Sequence, residues 1–144
     1  MPSDIINQFD EEGFRFRYPK DWKIEREESD TRWTVTVQSP DTAFLMLTVD
    51  AEMPEVRDVV STTLKALKDD YPDLEADKTE EDLAGQPAVG HEIRFSSFDF
   101  LNTCWTRSFY STRGTVLLMC QTNDLEKNEP ILRAMCASLE VEEE

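Results

Sequence analysis

Gly13-Phe14-Arg15-Phe16-Arg17-Tyr18-Pro19-Lys20-Asp21-Trp22 sets three aromatic rings against two arginines in alternation and then breaks at a proline. A period of two belongs to a strand with one buried face, and Pro19 ends it because its nitrogen has no hydrogen to donate. The indole of Trp22 is then placed to cover the end of a sheet. About seventy residues on, Leu83-Ala84-Gly85-Gln86-Pro87-Ala88 supplies a second punctuation mark, where Gly85 and Pro87 turn the chain between two extended runs.

Between these marks the period changes. Trp33, Val35 and Val37 alternate with Thr34, Thr36 and Gln38; Ser39-Pro40-Asp41-Thr42 has turn chemistry; and the apolar run 43–49 follows. This predicts a hairpin whose second strand is buried on both faces. Val56, Val60, Thr63, Leu64, Leu67 and Tyr71 then fall at spacings of three and four, which predicts an amphipathic helix. Pro54 and Glu55 suit its start, and Pro72 pushes Tyr71 out of helical geometry. Residues 73–82 are acidic and fit an edge strand or a loop.

Downstream, Val89, His91, Ile93 and Phe95 share one strand parity, and Trp105, Arg107, Phe109 and Ser111 share another. Arg113-Gly114 turns the chain into a strand over 115–122. A last helix is predicted with Asn128 as its cap, Pro130 in its first turn, and Ile131, Leu132, Met135 and Leu139 facing the sheet. The acidic tail 140–144 is expected to fray. Neither repeats nor a linker divide the chain, so a single domain over 1–144 is expected, with a core of about 10–141. Its fold class is α+β: a mostly antiparallel sheet flanked by helices on its faces, an α/β/α sandwich.

Composition narrows the partners. The 144 residues carry a formal net charge of −16, whose field repels nucleic-acid phosphate and anionic lipid heads. No apolar run is long enough for export or for spanning a membrane. Cys104, Cys120 and Cys136 are odd in number with no close pair in sequence, which fits reduced thiols better than a disulfide framework or a zinc knuckle. A cytoplasmic address is therefore expected, with no membrane insertion.

Chemistry-bearing patterns are sparse. His91 is the single histidine, and its parity with Val89, Ile93 and Phe95 reads as a packed sheet residue rather than the centre of a triad or metal cluster. Cys120 is expected to face the Trp105 and Phe109 side as a small buried hydrophobe. Gly13, Gly85, Gly90 and Gly114 are too scattered for a phosphate cradle. The carboxylates Asp69, Asp70, Asp73, Glu75 and Asp77 lack the glycine-containing ligand loop of a calcium hand. These readings call for no catalytic residue, no cofactor and no metal.

Two surfaces stand out as partner-binding candidates. The segment 69–82 crowds Asp69, Asp70, Asp73, Glu75 and Asp77 within a Debye length of about 8 Å, which suits docking of a basic protein. Its plain reading is a solvated loop and a blunted edge strand. Phe98, Phe100 and Leu101 flank Asp99 at a hairpin tip. Exposed, each apolar side chain offers roughly 1.5 to 3 kcal/mol on burial against a partner. The favoured alternative runs the strands through this segment and tucks the rings into the core.

The motif Gly13-x-Phe-x-Phe/Tyr-Pro-x-x-Trp22, the turn Leu83-x-Gly85-x-Pro87-Ala88, the order of elements and the closing Ile131-x-x-x-Met135-x-x-Ser138-Leu139 resemble one superfamily. It contains the PsbP extrinsic proteins of photosystem II, the Ran-binding Mog import factors and bacterial DcrB-like proteins, and the resemblance spans about residues 10–141. It implies the α/β/α sandwich and a scaffold that holds other proteins: photosystem subunits, a small GTPase or secretion effectors. No Ran-contacting motif matches position by position, so no family binding residue is carried over. The function expected is a non-enzymatic protein-interaction or accessory, chaperone-like module with a protein partner of basic surface. A small-molecule binder using a cleft between sheet and helix is the alternative, and an unrecognised enzyme the third class.

Overall fold

A computed structural model describes residues 5–142. Ten strands and two helices follow the order β1 (Asn7–Glu11), β2 (Phe14–Tyr18), β3 (Lys23–Glu28), β4 (Arg32–Gln38), β5 (Phe44–Asp50), α1 (Val56–Asp70), β6 (Glu75–Leu83), β7 (Gln86–Ser97), β8 (Phe100–Ser111), β9 (Gly114–Thr122), α2 (Leu125–Ala137) and β10 (Glu140–Val141). Seven strands form one sheet in the order β3-β4-β5-β9-β8-β7-β6, and β1-β2-β10 form a second. Each pairing is antiparallel.

The expected α/β/α sandwich is overturned. Strands make up 54% of the described residues against 20% helix, and the face opposite α1 meets a second sheet together with α2 instead of a helical layer. Three strands carried too weak a pattern to read. Within Asn7–Glu11 only Phe9 is buried, Lys23–Glu28 is exposed throughout, and β10 has two residues. Tertiary contacts hold them: Phe9 and Phe14 pack on Trp33 with ring centroids 6.0 and 5.5 Å away, and Arg26 stacks on Trp33 while pairing with Glu11.

Register places the core. Leu45, Leu47 and Val49 of β5 lie opposite Cys120, Leu118 and Val116 of β9, and Cys120 and Val116 lie opposite Trp105 and Phe109 of β8. These side chains face Phe9, Phe14, Phe16, Trp22, Leu132 and Met135 in the larger core cluster. On the other face Ile93, Phe95, Cys104 and Met119 pack under Leu64 and Leu67 of α1 and Tyr71, which caps it. Strand β5 is buried on one face and half-buried on the other, where burial on both was expected.

Gly90 permits the tightest sheet contact. A Cβ built there would lie 1.6 Å from the Thr106 carbonyl oxygen, so β7 and β8 tolerate no side chain at this point. At the turn into β2, Glu12 and Gly13 have φ of 54° and 84°, a left-handed pair that glycine eases.

Helix α1 keeps the predicted stripe, and its first turn is satisfied from outside. The Val56 amide donates to the Tyr110 hydroxyl at 3.2 Å. Helix α2 starts before its expected cap. Asp124 is the cap, accepting from the Lys127 amide at 3.3 Å, while Asn128 is buried and donates to Thr122 Oγ1 at 3.0 Å and Asp41 Oδ2 at 3.3 Å. Pro130 thus falls in the second turn. Of the expected frayed tail, Glu140–Val141 pairs with β2, and 143–144 lie outside the described residues.

Candidate functional site: a carboxylate-lined groove beside the β7–β8 tip

Helix α1 runs out where Pro72 forbids another turn, and the chain re-enters the sheet as β6 at Glu75. Tyr71 stacks on Phe95 of β7, with centroids 4.1 Å apart and planes 24° from parallel, so the end of the helix is pinned to the end of a strand. Between them opens a groove of about 610 Å³, walled by Asp70, Asp73, Glu75 and Leu101.

The tip beyond it is a two-residue turn, Phe98 and Asp99, with φ of 52° and 66°. This overturns the favoured expectation that the strands run on and bury the rings: Phe98 is 93% exposed, Phe100 56% and Leu101 61%. An aromatic residue in the left-handed region is uncommon, because its Cβ crowds the backbone there.

The fold therefore joins surfaces read separately in the sequence. Asp70, Asp73, Glu75 and Leu101 line one groove, and Phe98 and Phe100 stand at the tip beside it. Asp77 contributes through Arg94, which it holds at 2.9 Å while Glu75 approaches the same guanidinium at 3.9 Å. Asp69 is exposed on the last turn of α1 and does not line the groove. Strand β6 pairs with β7 only from Glu75 opposite Arg94, so the outer edge of residues 95–97 runs past it into the groove with no strand partner among the described residues.

His91 lies elsewhere, against α1, lining a crevice of about 460 Å³ with Arg57, Ser61 and Lys78. It is buried, its amide donates to Thr106 Oγ1 at 3.1 Å, and its Nδ1 has no hydrogen-bond partner. Burial, then the charges of Lys78 and Arg107, hold the imidazole below its ordinary pKa. Among the described residues it hydrogen-bonds to no thiol or carboxylate, and three or more potential metal ligands cluster nowhere.

Sequence reading missed two constellations. Arg107 is buried between Glu81 and Glu92, with Glu92 at 2.6 Å, and Arg133 reaches Glu92 at 3.5 Å from α2. Cys120 and Cys136, without a close pair in sequence, stand with sulfurs 3.6 Å apart. The available signal was parity: Cys120 shares the Trp105 side of β9, and Cys136 follows Leu132 by one helical turn.

No family model matches the chain, and no curated protein matches it. Its fold is shared with solved structures. One, from Bacteroides thetaiotaomicron VPI-5482, aligns over 92% of this chain at 13% identity with a TM-score of 0.58, and this chain spans 46% of its length. PA94 of Pseudomonas aeruginosa, a protein of unknown function suggested to be a regulator, aligns over 92% of this chain and 94% of its own at 13% identity and a TM-score of 0.53. LpqN of Mycobacterium tuberculosis, involved in cell envelope biogenesis, aligns over 90% and 83% at 13% identity and a TM-score of 0.53. At this identity the likeness concerns the fold alone. Among the described residues no helix is long and apolar enough to cross a membrane.

Proposed function

We propose that this chain is a non-enzymatic protein-interaction module, accessory or chaperone-like, that receives a basic, partly apolar segment of a protein partner in the groove beside the β7–β8 tip. The observation that carries this reading is the convergence of exposed Phe98, Phe100 and Leu101 with the carboxylates of Asp70, Asp73 and Glu75 on one edge of the sheet. Burying two of the apolar side chains is worth roughly 3 to 6 kcal/mol, comparable to the low end of an association cost of about 4 to 15 kcal/mol, so the carboxylates and the strand edge must add to it. The unpaired edge of residues 95–97 adds backbone donors and acceptors for an extended segment.

The left-handed Phe98 supports the same reading. A local sequence chosen for stability alone would place asparagine or glycine at φ of 52°, whereas this one keeps a large ring there in water. Resemblance to the PsbP, Mog and DcrB superfamily, whose members hold other proteins, points the same way. A reducing, cytoplasmic setting belongs to this proposal and rests on the three unbridged cysteines.

The experiment is affinity capture from the native cell with wild-type protein and with Phe98→Asp/Leu101→Asp. The expected result is a protein retained by the wild type, released by moderate salt and lost from the double variant. Equal retention by both would remove the groove from the interaction.

A second reading has one observation in its favour: the unpartnered Nδ1 of buried His91, beside the crevice that Arg57 and Lys78 also line, suits a small anionic molecule. Native mass spectrometry of protein purified without denaturation tests it, since a bound adduct lost in Lys78→Ala supports it and a bare chain counts against it.

A further inference from the structure

Cys120 near the end of β9 and Cys136 in the last turn of α2 hold their sulfurs 3.6 Å apart. The core brings them together. Cys120 projects from the sheet face that α2 covers, opposite Leu45 and Trp105, and Cys136 lies one turn beyond the fully buried Leu132. A disulfide places its sulfurs about 2.05 Å apart, so closing this pair requires the two sulfurs to approach by about 1.5 Å.

The two thiols differ in access. Cys120 is wholly buried beneath the helix, whereas Cys136 is partly exposed and lines a cavity of about 210 Å³ whose walls include Trp105, Arg107 and Arg133. Arg133 lies over the Trp105 ring at 4.2 Å and pairs with Glu92 and Glu129 at 3.5 Å, while Glu81 and Asp82 line the same cavity. The hydrogen bond from Cys120, then that from Trp105 and the charges of Arg133 and Arg107, hold the Cys136 thiol below its ordinary value against the opposing effect of burial. Burial pushes Cys120 up, and pushes Cys104 up to about 12. A thiolate is the nucleophilic form, so the surroundings favour reaction at Cys136.

We propose that Cys136 and Cys120 form a redox-active dithiol: Cys136 meets a small hydroperoxide through the cavity beside α2, and Cys120 resolves the product to a disulfide. In the first step the Cys136 sulfur attacks the terminal oxygen of the hydroperoxide. An S–O bond forms and the O–O bond breaks, and the alkoxide leaves as an alcohol, or as water from hydrogen peroxide, after taking the thiol proton. Cys136 is then a sulfenic acid. In the second step Cys120 attacks that sulfur, the S–S bond forms, the S–O bond breaks, and hydroxide leaves with the Cys120 proton as water. Two thiols are oxidised and one peroxide is reduced. The bond joins the last turn of α2 to β9, just before β10 docks on β2.

The test exposes the folded full chain to hydrogen peroxide, then removes the oxidant, unfolds the protein, alkylates it with iodoacetamide and weighs it. The expected mass shows loss of two hydrogens and one alkyl group, on Cys104, where untreated protein carries three; dithiothreitol restores all three. In Cys120→Ser, oxidation is expected to stop at a Cys136 sulfenic acid that dimedone labels. Three alkylated cysteines after peroxide, a bond involving Cys104, or a bond between two chains would each overturn the proposal. The wild-type reading needs no substitution, so poor folding of a serine variant does not rescue it.

Discussion

Tyr71 at the end of α1 stacks on Phe95 of β7, centroids 4.1 Å apart, and both residues line the carboxylate-lined groove. The contact links a helix terminus fixed by Pro72 to a strand end that has outrun its neighbour β6. Replacing Tyr71 by alanine removes the stack and opens a gap over Leu74. The expected cost is about 1 to 3 kcal/mol in urea unfolding with an unchanged slope. A loss below about 0.5 kcal/mol would show that the groove is held by other means.

Phe98→Gly separates stability from function. Glycine adopts φ near 52° without a Cβ clash, and the ring it removes is 93% exposed, so no core contact is lost. The variant is expected to be more stable by about 1 kcal/mol while capturing less partner protein. Denaturant midpoints and capture yields measured on the same preparations check both halves. A destabilised variant would contradict the strained geometry of the tip.

Gly90→Ala tests the close approach of β7 and β8. Its methyl group would meet the Thr106 carbonyl oxygen at 1.6 Å, near the open end of the β7–β8 ladder, where Gly90 is also paired to Thr79 of β6 on its other side. A loss of more than about 3 kcal/mol is expected by calorimetry.

Arg107 is held between Glu81 and Glu92 with its side chain 5% exposed. Arg107→Ala removes a buried guanidinium while Glu81 and Glu92 stay partly exposed and Glu92 keeps Arg133, and is expected to cost about 1 to 3 kcal/mol. Arg107→Met with Glu92→Gln, which removes charge from both sides, should cost less than the single alanine change. Thermal unfolding of the two variants at equal salt makes the comparison.

His91 gives the pH dependence its sign. Burial, Lys78 and Arg107 lower its folded pKa, so the unfolded chain binds the proton more readily. The stability this contributes is complete above the unfolded value of about 6.5 and is lost as pH falls from there toward the lowered folded value. His91→Gln is expected to flatten the fall in unfolding free energy between about pH 6.5 and 5. A slope identical to wild type would mean that other groups carry it.

What the sequence determined by itself is the set of elements with a strong period. Phe14, Phe16 and Tyr18, the hairpin around Pro40, the α1 stripe and the strand after Gly114 were legible because alternate or helical spacing of apolar residues leaves one burial solution. Strands β1 and β3 were not, since one carries a single buried residue and the other none; Trp33 of β4, on which Phe9 and Arg26 pack, and the Arg26–Glu11 pair that joins the two strands hold them. Strand β1, with β2 and β10, forms the second sheet that stands where a helical layer was expected.

The exposed tip was named from sequence but its orientation was not, because whether Phe98 turns outward depends on where β7 and β8 stop pairing. Only tertiary structure decided that the tip and the carboxylates 70, 73 and 75 share one groove, and that Cys120 meets Cys136. Local chemistry sets which face of an element is apolar; register and packing set which faces meet, and these depend on residues far apart in the chain.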